Sequence, residues 1–296
     1  MSHIPVLQNE VLQYLDPKPN ENFIDCTVDG GGHATAIMEK NNPGGKLLGI
    51  EWDEEVLKET ENRVKTEGFK DRLILVNDSF LNLKEIARKN NFNNVSGILF
   101  DLGMSGWHLE ESKRGFSFLK KEPLDMRYNL SNPLTAEKIV NYWSKPEIER
   151  ILKDFGEETF YKEIADGIIS FRQARPIETT FQLVEIIKGV TPRWYQEKKI
   201  HPATKTFQAL RIAVNDELNN IEKTLNQTID VLKDGGRLVV ISFHSLEDRI
   251  VKNFLKTKTK EGLLKILTKK PIVSSQNEIR INPRSRSAKL RAAIKL

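Results

Sequence analysis

At 296 residues the chain is long enough for one large α/β domain or two ordinary ones, with a core that needs no disulfide. Hydrophobic residues at 39% and charged residues at 29% are globular proportions, which excludes global disorder and a collagen-like repeat. The formal net charge of +5 is unevenly spread: from Arg249 to Leu296 there are 14 Lys and Arg against Glu261 and Glu278, a net of +12, and the rest of the chain carries −7. A basic segment of that density fits a polyanion such as RNA or DNA, and equally a solvated surface, so charge alone leaves both readings open. Cys26 is the one cysteine, which excludes an internal disulfide and cysteine-rich zinc patterns. No apolar run approaches the roughly 18 residues of a membrane span. Met1 to Pro5 lacks the basic and apolar regions of a secretory signal, so a cytoplasmic protein without a membrane partner is expected.

In chain order, Asn22 to Val28 predicts a strand, followed by Gly30-Gly31-Gly32 and a helix reaching Lys40. Lys46 to Glu51 predicts the next strand and Glu54 to Glu67 the next helix. Arg72 to Val76 and Ser96 to Asp101 repeat the strand pattern, with a helix over Leu83 to Lys89 between them. Strands alternating with helices make a parallel, Rossmann-like sheet with right-handed crossovers. From Ser112 to Ile200 the patterns are helical only. Ser144 with Glu147 and Thr179 with Gln182 are capping-box pairs, and Gly189 stands where a helix should end. His201 opens a long helix whose buried stripe is Phe207, Leu210, Val214, Ile221 and Leu225. Arg237 to Phe243 is a strand after the breaker pair Gly235-Gly236, and Leu263 to Thr268 and Lys289 to Leu296 are two more. The expected organisation is an α/β domain made of 1–111 and 201–296, interrupted by an all-helical insertion at 112–200 that recognises substrate.

The glycine loop lets backbone approach a ligand at the carboxyl edge of the sheet. Gly30 and Gly32 supply two positions of a dinucleotide fingerprint, but Thr35 occupies the third, which weakens an NAD reading. Glu51 ends the second strand where an acid accepts from ribose hydroxyls, Phe80 follows the third with an aromatic face, and Asp101 ends the fourth. An adenosine cofactor fits these ends, and S-adenosylmethionine fits better than NAD because it has no pyrophosphate. Asp101 to His108 leaves the fourth strand where substrate meets cofactor, with Trp107 offering a face for a base or packing under the loop. Phe116 and Phe118 favour core packing. Gln208, Arg211 and Asn215 share one helical stripe that either faces a site or is solvated. His244 and Ser245 emerge from the fifth strand at the same edge as Asp101. His3, His33, His108, His201 and His244 show no metal spacing, so no metal is expected.

These strips together resemble the bacterial ribosomal small subunit methyltransferase H family (formerly MraW). The matching segments are Gly31-Gly32-His33, Asp101-Leu102-Gly103, Arg114 to Phe118, Pro123 to Arg127, His201-Pro202-Ala203-Thr204 through Asn215, Ser242 to Arg249, and Asn282 to Arg286. The resemblance implies a class I S-adenosylmethionine-dependent methyltransferase sheet with a helical insertion, acting on the exocyclic N4 of a cytidine in the 16S rRNA of the small ribosomal subunit. It implies cofactor contacts from Gly31, Gly32, His33, Glu51, Phe80, Asp101 and His108. For that reaction Asp101 is expected nearest cofactor and amine, with His244 and Asn215 orienting the base. Arg280, Arg284, Arg286, Lys289 and Arg291 would hold the RNA backbone. Glu51 stands where the family pattern has Asp, and Met104 to His108 replace its Val-Ser-Ser-Pro-Gln run. The altered loop makes a non-catalytic RNA-binding assembly factor the alternative. No protein partner follows from the sequence.

Overall fold

The computed structural model describes residues 4–66, 68, 69 and 71–296; His3 and the expected helix end at Glu67 lie outside the described residues. Two compact units divide the chain. One runs to Gly103 and resumes from Leu218 to Leu296, and the other is Met104–Glu217.

The first unit opens with α1 (Gln8–Leu15), β1 (Asn22–Asp25), α2 (Gly32–Lys40), β2 (Leu47–Glu51), α3 (Glu54–Thr66), β3 (Leu73–Asn77), α4 (Leu83–Lys89) and β4 (Val95–Asp101). The inserted unit carries α5 (Gly106–Glu110), α6 (Ala136–Tyr142), α7 (Lys145–Asp154), α8 (Tyr161–Ala174), α9 (Thr180–Val190), α10 (Arg193–Gln196) and α11 (Thr204–Asn215). The first unit then resumes through α12 (Glu217–Val231), β5 (Leu232–Ser242), α13 (Ser245–Lys260), β6 (Leu264–Ile266), β7 (Ile272–Val273), α14 (Gln276–Ile281) and β8 (Lys289–Lys295).

In the first unit the sheet order is β3-β2-β1-β4-β5-β8-β6, with β7 also on β8. The five strands from β3 to β5 are parallel, and β8 enters antiparallel between β5 and β6. This is the class I methyltransferase architecture. Alternation along the strands builds both faces. Phe23, Leu47, Leu99, Val239 and Ile241 point into one core with Leu12 of α1 and Ile37 of α2. Ile24, Leu48, Ile98, Phe100, Leu238 and Val240 point into the other, with Ile86 of α4, Leu225 of α12 and Leu255 of α13. The chain order reverses between β1 and β4, which leaves a crevice at their carboxyl ends, where open α/β sheets take their ligands. The strand expected from Arg237 begins earlier, at Leu232, because Gly235 (φ 75) and its neighbours form a bulge and pairing with β4 resumes at Arg237.

The insertion is wider than 112–200 because α11 belongs to it. Phe207, Leu210 and Val214 share its core with Ile139, Ile151 and Leu183. The long helix expected from His201 is two helices: Asp216 takes a left-handed conformation (φ 50) and ends α11, so Ile221 and Leu225 pack in the first unit instead. Residues 111–135 are irregular rather than helical, since Lys113, Gly115 and Met126 all have positive φ and Pro123 bridges to Thr179. Both capping boxes form where spacing predicts them. The Glu147 carboxylate accepts from the Ser144 N–H at 2.8 Å, and the Gln182 Oε1 from the Thr179 N–H at 2.9 Å. The helix before Gly189 continues one residue beyond it.

β8 is tied to α13 by a bidentate pair. Arg291 Nε donates to Asp248 Oδ1 at 2.6 Å and Nη2 to Oδ2 at 3.2 Å, with both side chains close to buried. Arg291 is thus a structural cation, which corrects its expected place on RNA. Removing one partner of a buried pair leaves the other uncompensated, at a cost of about 3 kcal/mol or more. We expect Arg291→Met to lower unfolding free energy by about that much in denaturant titration, and Asp248→Leu combined with it to restore most of the loss. Equal stability of wild type and single variant would refute the pair's role.

Candidate cofactor and active site

Three strands of the first unit end in acids at the crevice: Asp25 on β1, Glu51 on β2 and Asp101 on β4. Thr27 joins two of these ends. Its hydroxyl lies 2.6 Å from the Asp101 N–H and accepts from it, and its own N–H donates to Asp25 Oδ1 at 3.1 Å. The loop then turns through Asp29 (φ 42) and Gly31 (φ 75) into α2. Gly31 holds a backbone conformation that disfavours side chains. Gly32 has a different reason: a Cβ there would sit 2.4 Å from Pro5 Cγ, so the opening segment of the chain packs where a side chain would be.

His33, in the first turn of α2, brings Nε2 to 3.5 Å from Asp101 Oδ2, and both side chains are nearly buried. Neither ring nitrogen of His33 has a hydrogen-bond partner among the described residues; nor do Asp25 Oδ2 and Asp101 Oδ1. Buried polar atoms are ordinarily satisfied, because each one left unpaired costs about 1–3 kcal/mol. Four of them converging at one sheet edge mark a place for polar groups from outside the chain.

The edge is also crowded with negative charge. Glu51 Oε1 accepts from the Asp53 N–H at 2.9 Å and Oε2 from the Asp29 N–H at 3.2 Å. Burial, with Asp53 adding repulsion, still pushes the Glu51 carboxyl up to about 7. Burial pushes Asp25 up to about 6, against the attraction of His33. Asp29 rises well above the ordinary carboxyl range through burial and the charges of Glu51, Asp101 and Asp25. A ligand that fits supplies hydroxyl or cationic groups. S-adenosylmethionine has both, in its ribose, ammonium and sulfonium, and the residues present fit it. Asp25, Glu51, Asp101 and His33 would hold it. The negatively charged pyrophosphate of NAD does not suit the same set.

Phe80 is half-buried at the start of a 3-10 turn, edge-on to Phe100 with centroids 5.8 Å apart, so it borders the end of β3 as expected. Asn77 Nδ2 donates to the carbonyls of Glu51 and Trp52, which ties the ends of β2 and β3 together. His244 is the N-cap of α13. Its Nδ1 accepts from the Glu247 N–H at 3.4 Å, and its Nε2 lies 3.2 Å from Glu247 Oε1 without hydrogen-bond alignment. Sequence reasoning passed over Asp25 and Asp29. The available signal was that an acid ends β1 just as acids end β2 and β4.

Two expected site residues lie in the inserted unit and serve it structurally. Asn215 is buried; its Oδ1 accepts from the Tyr128 N–H at 2.9 Å, and its Nδ2 donates to the carbonyls of Met126 (2.7 Å) and Arg211 (3.0 Å). That corrects its expected role in orienting a base: its amide holds the irregular segment onto α11. The rest of its stripe behaves likewise, with Gln208 on the Phe155 carbonyl and Arg211 paired to Glu217 through two contacts of 2.8 and 2.9 Å. His108 is buried in the cap of α5, with Nδ1 2.9 Å from Ser105 Oγ and its ring against Phe116 and Tyr128. The structure thus places His108 within the packing of the inserted unit. Arg114 covers the Trp107 ring at 5.3 Å, while Phe116 and Phe118 stack on Tyr128 and His201 as core-type aromatics.

Of the basic residues expected on RNA, Arg280, Arg284 and Arg286 are exposed on α14 and the turn after it. Lys289 is partly exposed, 3.8 Å from Asp248. No helix among the described residues is long and apolar enough to cross a membrane.

The family model described as the MraW methylase family matches residues 1–296. Curated relatives named ribosomal RNA small subunit methyltransferase H include those of Persephonella marina (46% identical, 99% of each chain covered) and Geobacter sulfurreducens (46%, 100% of this chain and 99% of that one). The relative from Symbiobacterium thermophilum is 44% identical, over 99% of this chain and 96% of its own. A solved structure from Clostridium thermocellum, described as an rRNA-methylase, superposes over all of both chains with a TM-score of 0.51 at 12% identity, a likeness of fold.

The raised carboxyls make stability depend on pH with a definite sign. Glu51 and Asp25 hold protons in the folded protein at pH values where the unfolded chain has released them. The contribution of these two carboxyls therefore lowers the stability of the free protein as pH rises from about 4 to about 7. A melting series between pH 5 and 8 should show this decline, and Glu51→Gln should flatten it. An unchanged slope in that variant would remove Glu51 as its source.

Proposed function

The chain belongs to the MraW methylase family, and on that premise we propose that it transfers the methyl group of S-adenosylmethionine to the exocyclic N4 of a cytidine in small-subunit rRNA. The observation that carries this reading is the set of unpartnered buried atoms of Asp25, His33 and Asp101 at the sheet's switch point. When bound, the cofactor supplies an electrophilic methyl on a cationic sulfur.

The rest of the task falls to side chains. The cytosine amine is a weak nucleophile because its lone pair is delocalised into the ring. An acceptor on its N–H raises electron density on nitrogen and takes the proton as the new bond forms. Asp101 is the acceptor in this reading: Oδ1 has no partner within the protein, and Thr27 fixes the backbone that carries it. His33, 3.5 Å from the other oxygen, holds the carboxylate's orientation. His244 stands at the end of β5, beside β4, and orients the base from there. The target nucleoside has to leave its stack to be reached, which suits an irregular or single-stranded substrate. Arg280, Arg284, Arg286 and Lys289 provide backbone contacts, and the inserted unit reads the substrate's shape.

The test is methyl transfer from labelled S-adenosylmethionine to small ribosomal subunits that lack the modification, followed by nucleoside mass spectrometry of the digested rRNA. N4-methylcytidine is the expected product. A different methylated nucleoside would overturn the base assignment, and cofactor binding without transfer would favour the non-catalytic assembly factor. Asp101→Asn keeps the shape and removes the charge. It should lower kcat by about 10²–10⁴ while the cofactor still binds; full turnover in that variant would take the role away from Asp101.

A further inference from the structure

The outer face of α13 carries a row of exposed cations. Its inner face packs Val251 and Leu255 into the core, and its two acids near the N-terminus are engaged, Glu247 in the cap and Asp248 with Arg291. Arg249, Lys252, Lys256 and Lys260 are all exposed. At 100° per residue these four fall within about 80° of the helix circumference and along about 16 Å of its axis. They form one stripe.

On three other helices a surface lysine is balanced by an acid one turn away. Lys58 pairs with Glu54 on α3, Lys89 with Glu85 on α4 and Lys145 with Glu149 on α7, each at i,i+4 spacing. On α13 that spacing sets Lys252, Lys256 and Lys260 one above another, and none of the three has an acidic partner among the described residues. Like charges at i,i+4 weaken a helix by about 0.2–0.5 kcal/mol per pair. The helix dipole offsets this only within the last turn, so it accounts for Lys260 and not for Lys252. A solvated face built for solubility needs no such alignment.

We propose that this stripe is a docking track for the phosphate backbone of the RNA substrate, separate from the arginines of the C-terminal segment. A linear polyanion is the occupant whose charges match a straight row of cations, and it relieves the repulsion between them. The track begins at the site's rim, because α13 starts from the His244 cap at the end of β5. It leads a bound strand away from the crevice along the side of the first unit. The inference rests on the rRNA methyltransferase reading and gives that reading a path for the strand.

The test compares the full-length wild-type chain with Lys252→Gln/Lys256→Gln/Lys260→Gln, and with the matching triple Arg variant. Binding of a labelled small-subunit rRNA transcript is followed by fluorescence anisotropy over a KCl series, and methyl transfer is measured on subunits. Loss of three phosphate contacts should lower the slope of log K against log salt by about 2. KM for subunits should rise tenfold or more, with kcat and cofactor affinity unchanged and the Arg variant close to wild type. An unchanged slope and KM in the Gln variant overturns the proposal, as does wild-type binding to anionic phospholipid vesicles in preference to RNA. Absence of methyl transfer in the wild type defeats the methyltransferase reading by itself, and the salt slopes still decide the track. Circular dichroism separates a folding defect from these outcomes, since removing like charges should leave α13 intact.

Discussion

A parallel sheet delivers the carboxyl end of every strand to the same edge, and in this chain β1, β2 and β4 arrive there carrying acids. Water that would screen them is largely displaced by the two flanking cores, so their charges act at low effective dielectric. The cost appears in the carboxyls themselves: Glu51 and Asp25 give up protons only at about 7 and about 6. Each pKa unit is about 1.4 kcal/mol of preference for the neutral form. A fold without use for that edge would put neutral side chains there. The burial of both sheet faces holds the acids in place, and a cation arriving among them recovers part of what the fold spends to keep them together.

That tension explains features that otherwise look incidental. Thr27 turns its hydroxyl to the Asp101 N–H, which fixes the end of β4 without satisfying the carboxylate. Backbone N–H groups of Asp29 and Asp53 steady Glu51 and leave it partly relieved. Thr60 donates its hydroxyl to the Asp29 carbonyl, which pins the loop at its positive φ. The scaffold orients these acids and stops short of neutralising them, which is what a site that binds and then releases a charged ligand requires.

Much of this was legible in the sequence because it depends on local periodicity. Short apolar runs marked the strands, and Ser144 with Glu147 and Thr179 with Gln182 marked helix starts by chemistry that acts over three residues. The acids at the ends of β2 and β4 followed once the strands were placed. What escaped depends on partners far along the chain. The spacing of Gln208, Arg211 and Asn215 gives a shared face, but only the fold reveals that Phe155, Glu217 and Met126 meet it. The break after Asn215 rests on an aspartate at positive φ, a conformation that sequence assigns first to glycine or asparagine. It moved the boundary of the insertion by a whole helix.

The basic C-terminal segment shows why a charge count underdetermines function. Arg291 is spent on Asp248, Lys258 on Glu261, and Lys295 on the carbonyls of Ile229 and Leu232. A paired cation contributes little to the field beyond a Debye length of about 8–10 Å, because its partner cancels it. The field that a polyanion meets therefore comes mainly from the cations left without acids. Three of these, Lys252, Lys256 and Lys260, lie in line on a rigid helix. Rigid alignment matters more than number here: cations fixed along one axis bind a strand without ordering long side chains from separate elements. A net of +12 spread over flexible loops would attract RNA equally from a distance and direct it nowhere.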